Sequence, residues 1–193
     1  MTNKDIQTER LLRYFLDAAK NIIKSEGIDA LTVRSVADKA GYSYGTLYNY
    51  YKDVKDLIHQ SGIEFMGECK EYVAGIQYPE NEPIEIIKLK SGKYIEFFVQ
   101  YTGIYNLLYI SGKNSIGKFR EFNQALIEMN TEIFGNEFKQ IFGNKSNEML
   151  AMFMTLVSGS LLLYINRMYP EEYTDFRKSL NFQMDMLLNS GKW

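Results

Sequence analysis

The chain has 193 residues, enough for one large domain or for a small one joined to a larger one. Hydrophobic residues make up 46% of it and prolines number three, which excludes a disordered chain and fits a compact, mostly helical one. A net charge of −2 excludes nucleic-acid binding by bulk charge, so any such affinity must come from locally placed cations and helix N-termini. The distribution is only mildly asymmetric: residues 1–60 carry nine Lys/Arg against eight Asp/Glu, and the remainder thirteen against sixteen. Cys69 is the only cysteine, so no intrachain disulfide can form, and a reducing cytoplasm is expected. The first residues, MTNKDIQTERLLRY, lack the apolar core of a signal peptide. No run approaches the eighteen or so consecutive apolar residues of a membrane span; Ala151 to Ile165 comes nearest, interrupted by Thr155, Ser158 and Ser160.

In chain order, the first helix is expected from about Thr8 to Ser25, with Leu12, Phe15, Ala19, Ile22 and Ile23 on its apolar face and Gly27 at its end. Arg10 and Arg13 near its start either reach phosphate or are simply solvated. Thr32 can cap a second helix whose stripe is Val33, Val36, Ala37 and Ala40, and Gly41 stands where a left-handed C′ residue would stop it. Ser43 can cap a third, carrying Tyr44, Thr46, Leu47, Tyr48, Asn49 and Tyr50. Only Leu47 is an aliphatic anchor there, so most of this helix faces something other than a core. Small and aliphatic residues, a glycine turn and a polar-aromatic second helix describe a DNA-binding helix-turn-helix over 32–51. The alternative is an αα-hairpin with no DNA role.

The remaining elements follow from the same periodicities. Asp53 can cap a long fourth helix through Leu57, Ile58, Phe65, Cys69 and Val73, stopped at Gly75 ahead of Pro79 and Pro83. A strongly aromatic helix is expected from Pro83 to about Ser111, and one or two more from Ser115 to Phe142. After a turn at Asn144 to Ser146, a long apolar helix is expected from Asn147 to Tyr169, ended by Pro170. Glu171 to Asn189 closes the chain with Phe176, Leu180, Met184, Leu187 and Leu188 on one face. The expected class is all-α, with a small helix-turn-helix domain at 1–60 joined through the fourth helix to a larger domain at 61–193.

The stretch Thr32-Val33-Arg34-x-Val36-Ala37-x-x-Ala40-Gly41, then Ser43-x-Gly45-Thr46-Leu47-Tyr48-x-Tyr50-Tyr51, resembles the TetR family of bacterial transcriptional regulators. The resemblance extends back through Phe15-Leu16-Asp17-Ala18-Ala19, Ile22-Ile23 and Gly27 and forward to Leu57, roughly the first third of the chain. It implies a homodimeric regulator, most often a repressor, that binds a palindromic operator and responds to a small molecule.

The third helix would then enter the major groove, N-terminal end first, with Ser43, Tyr44, Gly45 and Thr46 leading. Tyr44 and Asn49 are the candidate base readers: Asn can pair with adenine, and a Tyr ring can pack on a thymine methyl. The resemblance places Tyr48 and Tyr50 against the phosphate backbone, although Tyr48 could equally pack on the preceding helix. Thr32 and Arg34 open a helix whose N-terminal dipole suits a phosphate. Two positions depart from the family. Val54 stands where a lysine is common, so Lys52 and Lys55 are candidates for that phosphate contact. Tyr42 stands where a small aliphatic is usual.

For the dimer interface the last two helices are the candidates: Leu150, Phe153, Val157 and Leu161 with the small Ser158, Gly159 and Ser160, then Phe176, Leu180, Met184 and Leu187. The same residues could fill the monomer's own core. Tyr101, Tyr105 and Tyr109, four apart, form either core packing or, as the resemblance implies, one wall of an effector pocket, with Asn106, Asn123 and Tyr164 as polar anchors. Fifteen tyrosines, twelve phenylalanines and nine methionines suit an apolar or aromatic compound.

An enzyme reading finds little support. His59 is the only histidine, with no nucleophile or acid at a known spacing, and no phosphate loop, dinucleotide fingerprint or metal-ligand cluster occurs in the sequence, so no cofactor is expected. The competing classes are a helical enzyme or small-molecule-binding protein, and a protein-interaction module that keeps the helix-turn-helix fold, none of which binds DNA.

Overall fold

The computed structural model describes residues 2–111, 116–168 and 172–189, and among them every regular element is helical. The α-helices are α1 (Asn3–Glu26), α2 (Val33–Ala40), α3 (Tyr44–Tyr48), α4 (Val54–Ala74), α5 (Pro83–Gln100), α6 (Thr102–Tyr105), α7 (Phe119–Phe142), α8 (Ser146–Ile165) and α9 (Tyr173–Asn189). Residues group into two compact units. One comprises 1–66 with 101–126, the other 67–100 with 127–193, so α4 and α7 contribute to both.

In the first unit, α1 begins earlier than its apolar pattern indicates. Thr2 and Asp5 form a reciprocal capping box that satisfies two otherwise orphaned N–H groups, and this carries the helix five residues upstream of Thr8. Its buried face is Phe15, Leu16, Ala18, Ala19, Ile22 and Ile23, and α2 packs on it through Val36 and Ala37. Burying each of Phe15, Leu16, Ile22, Ile23 and Val36 contributes about 1.5–3 kcal/mol, which offsets the cost of ordering the eight-residue α2, too short to stand alone.

The expected continuous helix from Pro83 to Ser111 is broken. α5 stops at Gln100, Tyr101 leaves helical geometry (φ −125°, ψ 69°), and the four-residue α6 leads into a π-helical turn at Asn106–Ile110. Tyr101 therefore does not share a helical face with Tyr105 and Tyr109. The break has a packing reason. A Cβ on Gly103 would stand 2.0 Å from the Ile23 carbonyl oxygen, so α6 lies directly against the backbone at the end of α1, an approach open only to glycine. Ile104, Leu107 and Leu108 are buried beside it.

In the second unit, α5, α7, α8 and α9 surround a core of aromatic rings. Tyr94 meets Phe98 edge-on at 4.8 Å and Phe134 at 5.8 Å, and Phe153 meets Phe134 at 5.5 Å and Phe138 at 5.2 Å. The Tyr94 hydroxyl donates to Asn130 Oδ1 at 3.2 Å, so its burial leaves no orphaned donor. Lys90 is held by Glu137 at 2.8 Å and the Ile133 carbonyl at 2.6 Å, a half-buried charge that is paired and hydrogen-bonded. A 3-10 turn, Gly143–Lys145, separates α7 from α8. The starts and stops expected at Ser115, Tyr169, Pro170 and Glu171 lie outside the described residues.

α8 is apolar almost all round. Within Phe119–Ile165 an eighteen-residue window reaches a mean hydropathy of 1.7 with 33% of it buried, so one stretch is long and apolar enough to cross a membrane by composition, where the sequence reading expected none. Thr155, Ser158 and Ser160 interrupt a consecutive apolar count but barely lower a window average. Met152, Leu162 and Leu163 of α8 and Phe182 and Met186 of α9 remain exposed. These are apolar side chains at the surface of α8 and α9.

Candidate nucleic-acid interface

The helix-turn-helix assembles from local rules. Thr32 caps α2, its hydroxyl accepting from the Ser35 N–H at 3.0 Å while Ser35 Oγ accepts from the Thr32 N–H at 2.9 Å. Gly41 closes α2 in the left-handed region (φ +77°), and the Tyr42 N–H returns to the Ala37 carbonyl. Ser43 caps α3, accepting from the Thr46 N–H at 3.1 Å. α3 is shorter than the expected Ser43 to Tyr50. Asn49 is its C-cap, and the N–H groups of Tyr50 and Tyr51 both turn back to the Leu47 carbonyl.

Leu47 is fully buried and anchors α3 to the unit, while Ser43, Tyr44, Gly45, Tyr48 and Asn49 face solvent. Tyr44 is 67% exposed and Tyr48 55%, so Tyr48 is not absorbed into packing. Tyr50 and Thr46 are half-buried, Tyr50 lying 6.4 Å from the Phe15 ring and Thr46 Oγ1 standing 2.9 Å from Ser43 Oγ. Thr32, Arg34, Lys52 and Lys55 are exposed, and the Arg34 guanidinium lies 3.8 Å from Asp38. The candidate reading and phosphate residues thus fall within one unit and are exposed, apart from the half-buried Thr46 and Tyr50. Tyr42 is accommodated by aromatic neighbours: its ring stacks on Tyr14 at 6.3 Å and meets Phe15 edge-on at 5.6 Å. Asp53 caps α4 through the Asp56 N–H, and Val54 is that helix's first residue.

Arg13 is exposed but paired. It pairs with Asp17 at 3.1 Å and with Glu64 at 2.6 Å, and Glu64 also holds Lys20 at 2.6 Å. One carboxylate on α4 thereby grips two cations on α1. Pairs separated by 44 and 51 residues leave no local signal in a sequence. A second fastening is Tyr51, buried at 3% exposure, whose hydroxyl donates to the Leu12 carbonyl at 3.2 Å and stands 3.2 Å from Gln60 Oε1. Burial, reinforced by the Glu64 charge, pushes its pKa up to about 12. The folded-state value lies above the unfolded one near 10, so this contribution is intact below pH 10 and is lost as pH rises towards 12. Denaturation midpoints measured from pH 8 to 12 are expected to fall above pH 10, and Tyr51→Phe should flatten part of that fall.

The candidate dimer residues lie mostly inside the monomer. Leu150, Phe153, Val157, Leu161, Phe176, Leu180 and Met184 are buried and Leu187 half-buried, whereas Gly159 is exposed with nothing within 4 Å of a Cβ placed on it. The candidate ligand residues divide between the units: Tyr101, Tyr105, Asn106, Tyr109 and Asn123 fall in the first, Tyr164 in the second. Tyr105 is 1% exposed and stacks on Tyr109 at 5.2 Å, Tyr101 lies under Lys24 at 5.1 Å, and Asn123 faces solvent. Asn106 accepts at its carbonyl from the Ser111 backbone and hydroxyl. Tyr164 stacks on Phe176 at 4.4 Å. A cleft of about 390 Å³ in the second unit is lined instead by Lys70, Val73, Ala74, Tyr78, Lys90, Glu132 and Ile133.

Capped α2, a left-handed glycine, and an α3 that buries one leucine while exposing its polar and aromatic side chains define a helix-turn-helix protein. Residues 15–60 match the family model of bacterial regulatory proteins, tetR family. No curated protein matches the chain at a significant level. Its fold is shared with solved structures. A tetR-family transcriptional regulator from Streptomyces coelicolor is 11% identical with a TM-score of 0.76, over 95% of this chain and 82% of that one. A TetR transcriptional regulator from Rhodococcus sp. RHA1 is 15% identical with a TM-score of 0.67, over 94% and 97%. The fatty acid degradation regulator FadR from Bacillus halodurans is 15% identical with a TM-score of 0.69, over 92% and 94%.

Proposed function

We propose that the protein is a cytoplasmic, sequence-specific DNA-binding transcriptional regulator, a ligand-responsive repressor that grips a palindromic operator as a homodimer, with residues 1–60 as its DNA-binding domain. The observation that carries this reading is the solvent face of α3. Leu47 fixes the helix from behind, and Tyr44, Tyr48 and Asn49 project from it with no core to fill. Tyr44 and Asn49 read bases. Ser43, Gly45 and Thr46 let the start of α3 come close, while Thr32, Arg34, Tyr48, Tyr50, Lys52 and Lys55 hold phosphates. Asn49→Ala should cost roughly 1–3 kcal/mol on a site selected from random duplexes and little on random DNA. Equal losses on both would make Asn49 a phosphate or packing residue.

Dimerisation rests on α8 and α9. Most of their candidate apolar side chains serve the monomer core, so the partner meets the outer face: Met152, Thr155, Gly159, Leu162 and Leu163 recur at three- and four-residue steps on α8, beside Phe182 and Met186 of α9. A Cβ at Gly159 meets nothing within 4 Å in the monomer, so Gly159→Leu probes this face. It should weaken the dimer measurably in sedimentation at micromolar concentration, and an unchanged dimer would move the interface elsewhere.

Effector binding belongs to residues 61–193, and the aromatic load there suits an apolar or aromatic compound. FadR of Bacillus halodurans, a fatty acid degradation regulator of the same fold, makes an acyl compound a reasonable first compound to try. The effector must prefer the form of the protein that fits DNA poorly, and a preference of about 1.4 kcal/mol suffices for a tenfold release.

A further inference from the structure

The DNA-binding reading leaves open which bases the protein selects, and the composition of the α3 surface bears on that choice. From Tyr42 to Tyr51 the sequence is YSYGTLYNYY, without a lysine, arginine, aspartate or glutamate. We infer that this surface recognises A·T pairs, so that each operator half-site is A·T-rich where α3 meets it and is read through thymine methyl groups and adenine edges. The inference rests on the DNA-binding reading above.

In the major groove each base has its own partner chemistry. Guanine offers O6 and N7 to a bidentate arginine or lysine, and cytosine offers its N4 amino group to a carboxylate. Neither kind of side chain is present on α3 or in the turn before it, and the only ones in the turn after it are Lys52 and Asp53, at its far end next to α4. The nearest cations stand off α3: Arg34 and Lys39 on α2, Lys52 in the turn before α4, and Lys55 on α4. Arg34 and Lys39 each lie 3.8 Å from a carboxylate, Asp38 and Glu26 respectively. These positions flank the reading helix, as phosphate contacts do.

What α3 does expose is suited to the other base pair. Asn49 is exposed, and its side-chain amide makes no hydrogen bond among the described residues, so both its donor and its acceptor are available to adenine N7 and N6. The Tyr44 ring, 67% exposed, offers an apolar face to a thymine C5-methyl group. The Thr46 hydroxyl is already engaged with Ser43 Oγ, which reduces the polar readout open to that end of the helix.

The test is selection of binding sites from a random duplex pool with the full chain, followed by atomic substitution in the selected site. Replacing thymine by uracil removes only the C5-methyl, and 7-deazaadenine removes only the N7 acceptor. The inference expects half-sites in which A·T pairs predominate at the positions protected by α3, a fivefold or greater loss for uracil at one or more of them, and loss of that thymine preference in Tyr44→Ala. Required G·C pairs at those positions would overturn it, as would uracil tolerated within twofold throughout, which would mark an A·T preference as one of DNA shape. Either result would leave the DNA-binding reading standing. Failure to enrich any sequence would overturn that reading and this inference together.

Discussion

Tyr105→Ala is expected to destabilise the protein by roughly 3–5 kcal/mol, the range for deleting a large buried ring. Tyr105 is 1% exposed, its ring stacks on Tyr109 at 5.2 Å, and burial pushes its pKa up to about 12. A ring so enclosed leaves a cavity when removed, because close-packed neighbours relax only in part. A thermal melt beside a titration with a fatty acyl compound separates core from pocket. A large fall in melting temperature fits the buried ring. An unchanged melting temperature with a blunted effector response would put Tyr105 in the wall of a binding site.

Gly103→Ala is expected to be the most damaging small substitution in the first unit, at or above the upper end of the roughly 1–3 kcal/mol that overpacking costs. The added methyl would sit 2.0 Å from the Ile23 carbonyl oxygen and 3.1 Å from its carbon. That neighbour is backbone in the last turn of α1, so a rotamer change cannot make room. Gly62→Ala offers a comparison, since its methyl would stand 2.3 Å from the Phe122 ring, a side chain that can tilt. Chemical denaturation of the two variants should rank Gly103→Ala as the less stable, and the reverse order would show that α6 slides easily along α1.

The contrast between these sites shows what the sequence can carry. The helix-turn-helix was legible because its determinants are short-range: Thr32 and Ser43 cap the helices they precede, and Gly41 supplies the left-handed residue between them. The break after Gln100 was not legible. Tyr101, Tyr105 and Tyr109 keep a helical spacing, and the approach of Gly103 to Ile23 joins residues eighty apart. Tertiary packing overrides local periodicity there, and the tyrosine stripe dissolves with the helix that carried it. α8 presents a third case. Its residues are apolar on nearly every side, so the pattern could not separate Leu150, Phe153, Val157 and Leu161, which fill the monomer, from Met152, Leu162 and Leu163, which do not. On α3 a single buried Leu47 among polar and aromatic neighbours left no such ambiguity about which side faces outward.

The most direct measurement is a salt titration of binding to a palindromic duplex carrying the selected site. Arg34, Lys52 and Lys55 from each of two subunits give about six phosphate contacts, so the logarithm of the affinity should fall linearly with the logarithm of salt concentration, with a slope of roughly −5 and two chains bound per duplex. Binding indifferent to salt, or no binding to the duplex at all, would contradict the account.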